Sequence, residues 1–272
     1  MNNSFKMHLM TAIGAAMAAG DAILKVYNKP DYTKELKADH SPVTEADYAA
    51  QAVISDHLQV AGFPVLSEEG GDIKYEDRKN WETFWLVDPL DGTKEFIRRN
   101  GEFTVNIALI HGIQPVLGIL YAPLPDLMYF SDVLEGGFRI ESFSQKWPGI
   151  ISLEDLLQAS ETLPLNRKDR PFRVVASRSH RNRHTNQYIR KLKKIHPGLE
   201  LVSRGSALKL CLVAEGSADI YPRFAPTWEW DTGAGQAIAE ASGCKVTHHD
   251  TESPIIYNKE ILLNPWFIVR RP

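Results

Sequence analysis

From Met7 the chain is apolar and rich in alanine, and the pattern runs on through Ile13, Met17, Ile23 and Leu24 to Tyr27. This periodicity predicts an amphipathic first helix. An Ala-x-Ala pattern at Ala16–Ala18 imitates a signal peptide, but Lys6 is the only basic residue ahead of it, and His8, Thr11 and Gly14 dilute the apolar stretch. No stretch approaches the roughly 18 apolar residues that a membrane span needs. After a polar stretch from Asp39 to Thr44, a second helix is predicted from about Glu45 to Val60, with Thr44 and Asp47 as its capping box. Short apolar runs follow: Phe63 to Leu66, ending in Ser67-Glu68-Glu69, and Phe84 to Val87. Lys94 to Arg99 reads as a short helix. Phe103 to Ile110, Pro115 to Tyr121, Leu127 to Ser131 and Gly137 to Glu141 read as an antiparallel meander with Gly, Pro and Asp turns.

The character changes near residue 142. Ser142 to Pro171 is polar and irregular apart from a Leu-rich helix at Leu153–Ala159. Beyond it strands and helices alternate: Phe172–Ala176, a helix over Asn182–Ile195, Leu201–Ser203, a helix over Ala207–Glu215, Ala218–Tyr221, a helix over Gly233–Ala241, Lys245–Thr247 and Trp266–Val269. Alternation of this kind argues for an α/β second half. The expected organisation is an α+β half over 1–150 with an antiparallel sheet, and an α/β half over 151–272. No internal repeat or low-complexity tract is visible.

With 43% hydrophobic and 24% charged residues the chain reads as an ordinary globular enzyme rather than a disordered protein. Its formal net charge of −3 gives no case for nucleic-acid or membrane binding. The only cysteines, Cys211 and Cys244, sit in apolar surroundings, so two buried thiols and a reducing cytoplasm are expected.

The richest chemistry lies in Asp88-Pro89-Leu90-Asp91-Gly92-Thr93, two carboxylates three positions apart at the end of the strand Trp85-Leu86-Val87. Hard divalent cations prefer oxygen ligands, and a pair of them clamps a phosphate ester for hydrolysis. Alone, the motif also reads as a β-turn. Asp47, Glu68 and Asp231 stand in contexts that could point them at the same place. Singly they have plainer readings: a helix cap, one of a solvated Glu-Glu pair, and a helix N-terminal charge. Together, clustered carboxylates raise one another's pKa unless cations compensate them, so the set implies bound metal.

In order, Lys37-x-Asp39-x-Ser41-Pro42-Val43-Thr44-x-x-Asp47, Glu68-Glu69, Asp88-Pro89-Leu90-Asp91-Gly92-Thr93 and Trp230-Asp231-x-Gly233-x-Gly235 resemble the motifs of the inositol monophosphatase superfamily. The resemblance covers almost the whole chain. Gly92-Thr93-Lys94-Glu95-Phe96-Ile97 and Glu229-Trp230-Asp231 are most similar to its 3′(2′),5′-bisphosphate nucleotidase branch. Thr232-Gly233 departs from the two small residues of many relatives and adds bulk beside Asp231.

The resemblance implies a layered αβαβα sandwich and a Mg²⁺-dependent, lithium-sensitive phosphatase with two or three ions per site. One ion would be held by Glu68, Asp88 and the carbonyl of Leu90, another by Asp88, Asp91 and Asp231. Thr93 and Asp47 would orient and deprotonate the attacking water, and the Gly92 and Thr93 amides would cradle the phosphate. The implied reaction is hydrolysis of 3′-phosphoadenosine 5′-phosphate to AMP and phosphate, in sulfur assimilation and nucleotide turnover. Ser206, Lys209 and Arg223 resemble the positions that bind the 5′-phosphate and adenosine, with Asp231 also near the substrate. His180 ends a Ser-Arg-Ser-His run placed to meet a ligand. Between Arg167 and Lys194 eleven Lys/Arg face one acid, Asp169, and most of them read as a solvated helix face. His180 and His184 have the spacing of a zinc pair but no third ligand nearby. The rival readings are a phosphatase of inositol or sugar monophosphates and a metal-dependent phospho-ligand sensor that does not hydrolyse. The partner is a small nucleotide, and the chain is expected to be a monomer, with a dimer as the alternative.

Overall fold

The computed structural model describes residues 2–37, 42–132, 134–165, 170–177 and 181–272. Along them run α1 (Asn2–Tyr27), the antiparallel pair β1 (Lys34–Leu36) and β2 (Pro42–Thr44), α2 (Glu45–Leu58), β3 (Val65–Ser67), α3 (Tyr75–Arg78), β4 (Thr83–Asp91) and α4 (Thr93–Ile97). Next come β5 (Thr104–His111), β6 (Gln114–Ala122), β7 (Leu127–Asp132), β8 (Gly136–Glu141), α5 (Phe143–Lys146), α6 (Leu153–Gln158) and β9 (Glu161–Thr162). The remainder is β10 (Arg173–Val175), α7 (Arg183–Ile195), β11 (Glu200–Val202), α8 (Leu208–Ala214), β12 (Ile220–Arg223), α9 (Gly233–Ala241), β13 (Lys245–His248) and β14 (Phe267–Arg270).

Strand alternation sorts these elements into five layers. The larger sheet runs β3-β4-β5-β6-β7-β8-β9, antiparallel except for the parallel β3–β4 pair. Its residues Trp85, Val87, Val105, Ile107 and Leu109 join Ile13, Ala16, Ala50 and Ile54 of α1 and α2 in one core. The alternate residues Phe84, Leu86, Ala108, Ile110 and Leu120 point the other way, onto α8 and α9. A second sheet, ordered β11-β10-β12-β14-β13, covers those two helices. The outer face of that sheet, Val174 and Ile220, packs on Ile189 and Leu192 of α7. The sequence is therefore helix, sheet, helix, sheet, helix, which is the layered α+β sandwich expected. α9 lies so close to β6 that a Cβ on Gly118 would stand 2.3 Å from the carbonyl oxygen of Ala234.

Several expectations needed correction. Met7–Tyr27 does have the length and apolar composition of a membrane span. Leu, Ile, Val, Met and Ala together carry that composition, and Leu9, Ala12, Ile13, Ala16 and Ile23 are buried against α2 and the sheet. β4 does not stop before the acidic motif but runs through it to Asp91. β1, β2, α3, α5 and β9 were not anticipated; each is two to four residues long, too short to show a period. The expectation of two buried thiols holds: Cys211 and Cys244 are both buried, with neither in a disulfide.

Candidate active site

In a regular strand, residues three apart point to opposite faces. Asp88 and Asp91 escape that rule because β4 carries an irregularity between them. Asp88 pairs with Asn106 and Asp91 with Thr104, so β4 advances three residues where β5 advances two. The extra residue is a bulge, a place where Pro89 is tolerated within a sheet, and it turns Asp91 to the side of Asp88. Parallel pairing of Ser67 with Val87, closed by a bond from the Glu68 amide to the Val87 carbonyl at 3.1 Å, sets Glu68 beside Asp88. Gly92 then adopts φ +95°, and a Cβ there would meet the Glu102 carbonyl oxygen at 3.2 Å, so a residue without a side chain is required.

Oxygen atoms of Glu68, Asp88 and Asp231 converge within 4.8 Å of one another. Asp91 lines the same cleft, its Oδ2 accepting from the Asn106 side-chain Nδ2 at 3.5 Å, but is not part of that triple. Burial raises the pKa of Asp88 well above its ordinary value, and Glu68, Asp91 and Asp231 add to it. Burial, then Asp91 and Glu68, pushes Asp231 up to about 8. Asp91 stands at about 6, raised by burial and held back by Lys209. Asp88 Oδ1 accepts from the Leu90 amide at 3.1 Å, while its Oδ2 is buried without a hydrogen-bond partner. An orphaned carboxylate oxygen among mutually repelling carboxylates suits a hard divalent cation, so the residues present fit the implied Mg²⁺.

Lys37 supplies a cation from the protein itself. Its ammonium lies 2.7 Å from Glu68 Oε1 and also contacts Glu69. Burial opposes that charge, but the two carboxylates outweigh it and the Lys37 pKa lies above its ordinary value.

Asp47 enters from the first turn of α2. Its Oδ2 accepts from the Thr44 amide at 2.8 Å and the Thr44 hydroxyl at 2.7 Å, completing the capping box. Its Oδ1 accepts from the Thr93 hydroxyl at 3.2 Å. Burial pushes Asp47 up to about 6 against the hydrogen bonds from Thr44.

The opposite wall of the cleft, which encloses about 300 Å³, is basic and polar. Ser206, at φ +46°, Lys209 and Arg223 line it and are all buried. The Lys209 ammonium donates to the Ser206 carbonyl, and burial with Arg223 nearby lowers its pKa to about 8 although Asp91 opposes the shift. Arg223 donates to the Pro226 carbonyl at 2.8 Å. Ser206 Oγ and Arg223 Nε, like Asp88 Oδ2, are buried without partners. Glu102 fixes the segment carrying Ser206 by accepting from the Gly205 amide at 2.8 Å.

A sequence model described as the inositol monophosphatase family matches residues 7–269. The chain belongs to that family. A 3′(2′),5′-bisphosphate nucleotidase CysQ of Shigella flexneri is 47% identical over 262 residues, 93% of this chain and 96% of the relative. The protein of the same description from Escherichia coli strain K12 has the same identity and coverage. The crystal structure of CysQ from Bacteroides thetaiotaomicron, described as a bacterial member of the family, superposes with a TM-score of 0.92 at 49% identity, covering 98% of each chain. An inositol monophosphatase structure from Anabaena, at 23% identity and a TM-score of 0.70, shares the fold.

Thr232 follows Asp231 directly and is buried. Its hydroxyl donates to the Glu229 carbonyl at 3.1 Å and accepts from the Asn264 side-chain amide at 2.9 Å. Asp47, Glu68, Asp88, Leu90, Asp91, Gly92, Thr93, Ser206, Lys209, Arg223 and Asp231 are thus gathered around one cleft, although Asp47 sits behind its lining. His180, Asp39 and Ser41 lie outside the described residues. His184 packs its ring on Trp266, 4.8 Å between centroids. Sequence reasoning assigned no role to Lys37, Asn106 or Glu102. It also passed over Glu229, which is fully buried and accepts from the Asn258 amide at 2.7 Å and the Lys259 ammonium at 2.6 Å. Lys37 and Glu229 do lie within the quoted motifs, which was the available signal.

Proposed function

We propose that the protein is a magnesium-dependent phosphatase that hydrolyses 3′-phosphoadenosine 5′-phosphate to AMP and inorganic phosphate. One observation carries the reading. Buried donors at Ser206, Lys209 and Arg223, two of them with unpartnered atoms, share a cleft with the carboxylates. A substrate with a second phosphate would answer those donors, and binding energy gained there would hold the scissile ester in position. The nucleotidase description of relatives at 47% identity supports the same substrate.

Glu68, Asp88, Asp91, Asp231 and the Leu90 carbonyl would hold two or three Mg²⁺ ions. When bound, Mg²⁺ supplies charge neutralisation for the phosphoryl oxygens and acidifies the attacking water. Asp47 Oδ1 takes the Thr93 hydroxyl proton as a hydrogen bond, leaving the Thr93 lone pairs to orient the water. A carboxylate with a pKa of about 6 suits a base working near neutral pH. The Gly92 and Thr93 amides cradle the phosphate, and Asp231 stands beside the leaving side. Two buried thiols outside any disulfide agree with a reducing cytoplasm.

A phosphate-release panel with purified protein and Mg²⁺ tests this reading. Adenosine 3′,5′-bisphosphate should be hydrolysed far faster than inositol 1-phosphate. The reverse order would give the site to a monophosphatase, and no hydrolysis of any ester would make it a sensor.

A further inference from the structure

Trp228 lines the cleft yet keeps 41% of its surface exposed. Its indole stacks on that of Trp230, with centroids 5.6 Å apart and planes 17° from parallel. One face is therefore covered by a second ring. The backbone is equally fixed. The Trp228 amide donates to Asp231 Oδ2 at 2.8 Å, its carbonyl accepts from the Asn264 side chain at 2.7 Å, and it bridges to Leu263. A large aromatic ring held rigidly and left open to a cleft is not explained by core packing, and such surfaces serve binding. Beside it the Thr227 hydroxyl and Arg223 Nε line the same cleft, buried and without partners. The occupant that fits is planar and aromatic, carries polar edges, and is joined to an anion.

We propose that Trp228 is the platform on which the nucleobase of the substrate stacks, so that it selects nucleotides over sugar and inositol phosphates. The proposal rests on the nucleotide reading given above and adds the residue that reads the base. Stacking uses the π-face common to all bases. Trp228 therefore accepts guanosine as well as adenosine bisphosphate and holds the smaller pyrimidines less firmly. The bond from its amide to Asp231 ties this platform to the carboxylate cluster.

The test compares Trp228→Ala and Trp228→Phe with wild type on two substrates, adenosine 3′,5′-bisphosphate and 1-O-methylribose 3,5-bisphosphate, which lacks the base. Loss of a stacking partner should lower kcat/KM for Trp228→Ala on the nucleotide by roughly tenfold or more, mainly through KM. The loss on the base-free ester should be much smaller, and Trp228→Phe should recover most of the nucleotide activity. Equal losses on both substrates, or a Phe variant as poor as the Ala variant with an unchanged melting temperature, overturn the proposal. If wild type does not hydrolyse adenosine bisphosphate at all, the nucleotidase reading falls separately. Tryptophan fluorescence with AMP then decides the platform. Quenching in wild type that is lost in Trp228→Phe supports it, and equal quenching in both overturns it.

Discussion

The Thr93 hydroxyl donates to Asp47 Oδ1 at 3.2 Å, joining the start of α4 to the first turn of α2 across 46 residues of sequence. The pair acts on water rather than on the ester. Thr93→Ala and Asp47→Asn should each lower kcat by roughly a hundredfold or more with little change in KM, and the double variant should fall no further than the worse single one. Phosphate-release kinetics check this. A double variant whose loss equals the product of the two single losses would mean that the residues do not work as a unit.

Asp88 combines an unpartnered buried oxygen with a raised pKa. Asp88→Asn should reduce turnover by about a thousandfold or more, because one carboxylate is lost to the whole metal cluster. The same change relieves repulsion, so the melting temperature in chelator near pH 8 should rise by about 2–4 °C, the shift expected of roughly 1 kcal/mol in a chain of this length. Addition of Mg²⁺ should stabilise wild type and leave the variant unmoved. Near-normal Mg²⁺-dependent activity in this variant would remove Asp88 from the ligand set.

Acidic pH should stabilise the metal-free protein. Asp47 and Asp91 at about 6 and Asp231 at about 8 all lie above the value of roughly 3.9 expected in the unfolded chain. A raised carboxyl pKa contributes stability that is fully present below the unfolded value and is lost as pH rises through the folded one. In chelator the melting temperature should therefore fall between about pH 5 and about pH 8. Lys209, lowered to about 8, works in the opposite sense above that window. Excess Mg²⁺ selects the ionised carboxylates and should flatten or invert the slope. A metal-free melting temperature that climbs across this range contradicts the cluster's electrostatics.

Lys209 and Arg223 stand on the wall facing the carboxylates. Lys209→Ala or Arg223→Ala should cost about tenfold more in kcat/KM on adenosine 3′,5′-bisphosphate than on a simple monophosphate, as charge-assisted bonds to the second phosphate are lost. Equal losses on the two substrates would assign both residues to structure.

The family resemblance implies inhibition by lithium, and ligand chemistry supplies the expected reason. Li⁺ takes hard oxygen ligands as Mg²⁺ does but carries half the charge. At Asp88, Asp91 and Asp231 it would occupy a place without stabilising the leaving oxygen, best once phosphate has assembled the site. Inhibition at millimolar Li⁺ should be uncompetitive towards substrate, and Na⁺ and K⁺ should be far weaker. Initial rates at several Li⁺ concentrations decide this, and a purely competitive pattern would count against the site.

Local signals in the sequence were read well where one element carried them. Thr44 and Asp47 form the capping box that their spacing announces, and the helix expected over Asn182–Ile195 runs from Arg183 to Ile195, with Asn182 as its cap. The meander from β5 to β8 followed directly from its apolar runs and turns. What escaped was long-range. Nothing local says that the step from Asp88 to Asp91 contains a bulge, since the irregularity exists only relative to β5. Glu102 meets Gly205 from 103 residues away, and Lys37 meets Glu68 from 31. Such pairs become visible only when the layers are stacked.

The five-layer stack also has an order in time, because chains are made from the N-terminus and begin to fold during synthesis. The strands bearing Leu86, Ala108, Ile110 and Leu120 leave the ribosome long before α9, which covers that face. Until Ala241 has emerged, α8 is the only one of the two covering helices available to this apolar surface. Asp231 stands two residues ahead of α9, so the last carboxylate arrives with the helix that seals the core. A nascent chain therefore gains its last cluster carboxylate only just ahead of the helix that shelters the site.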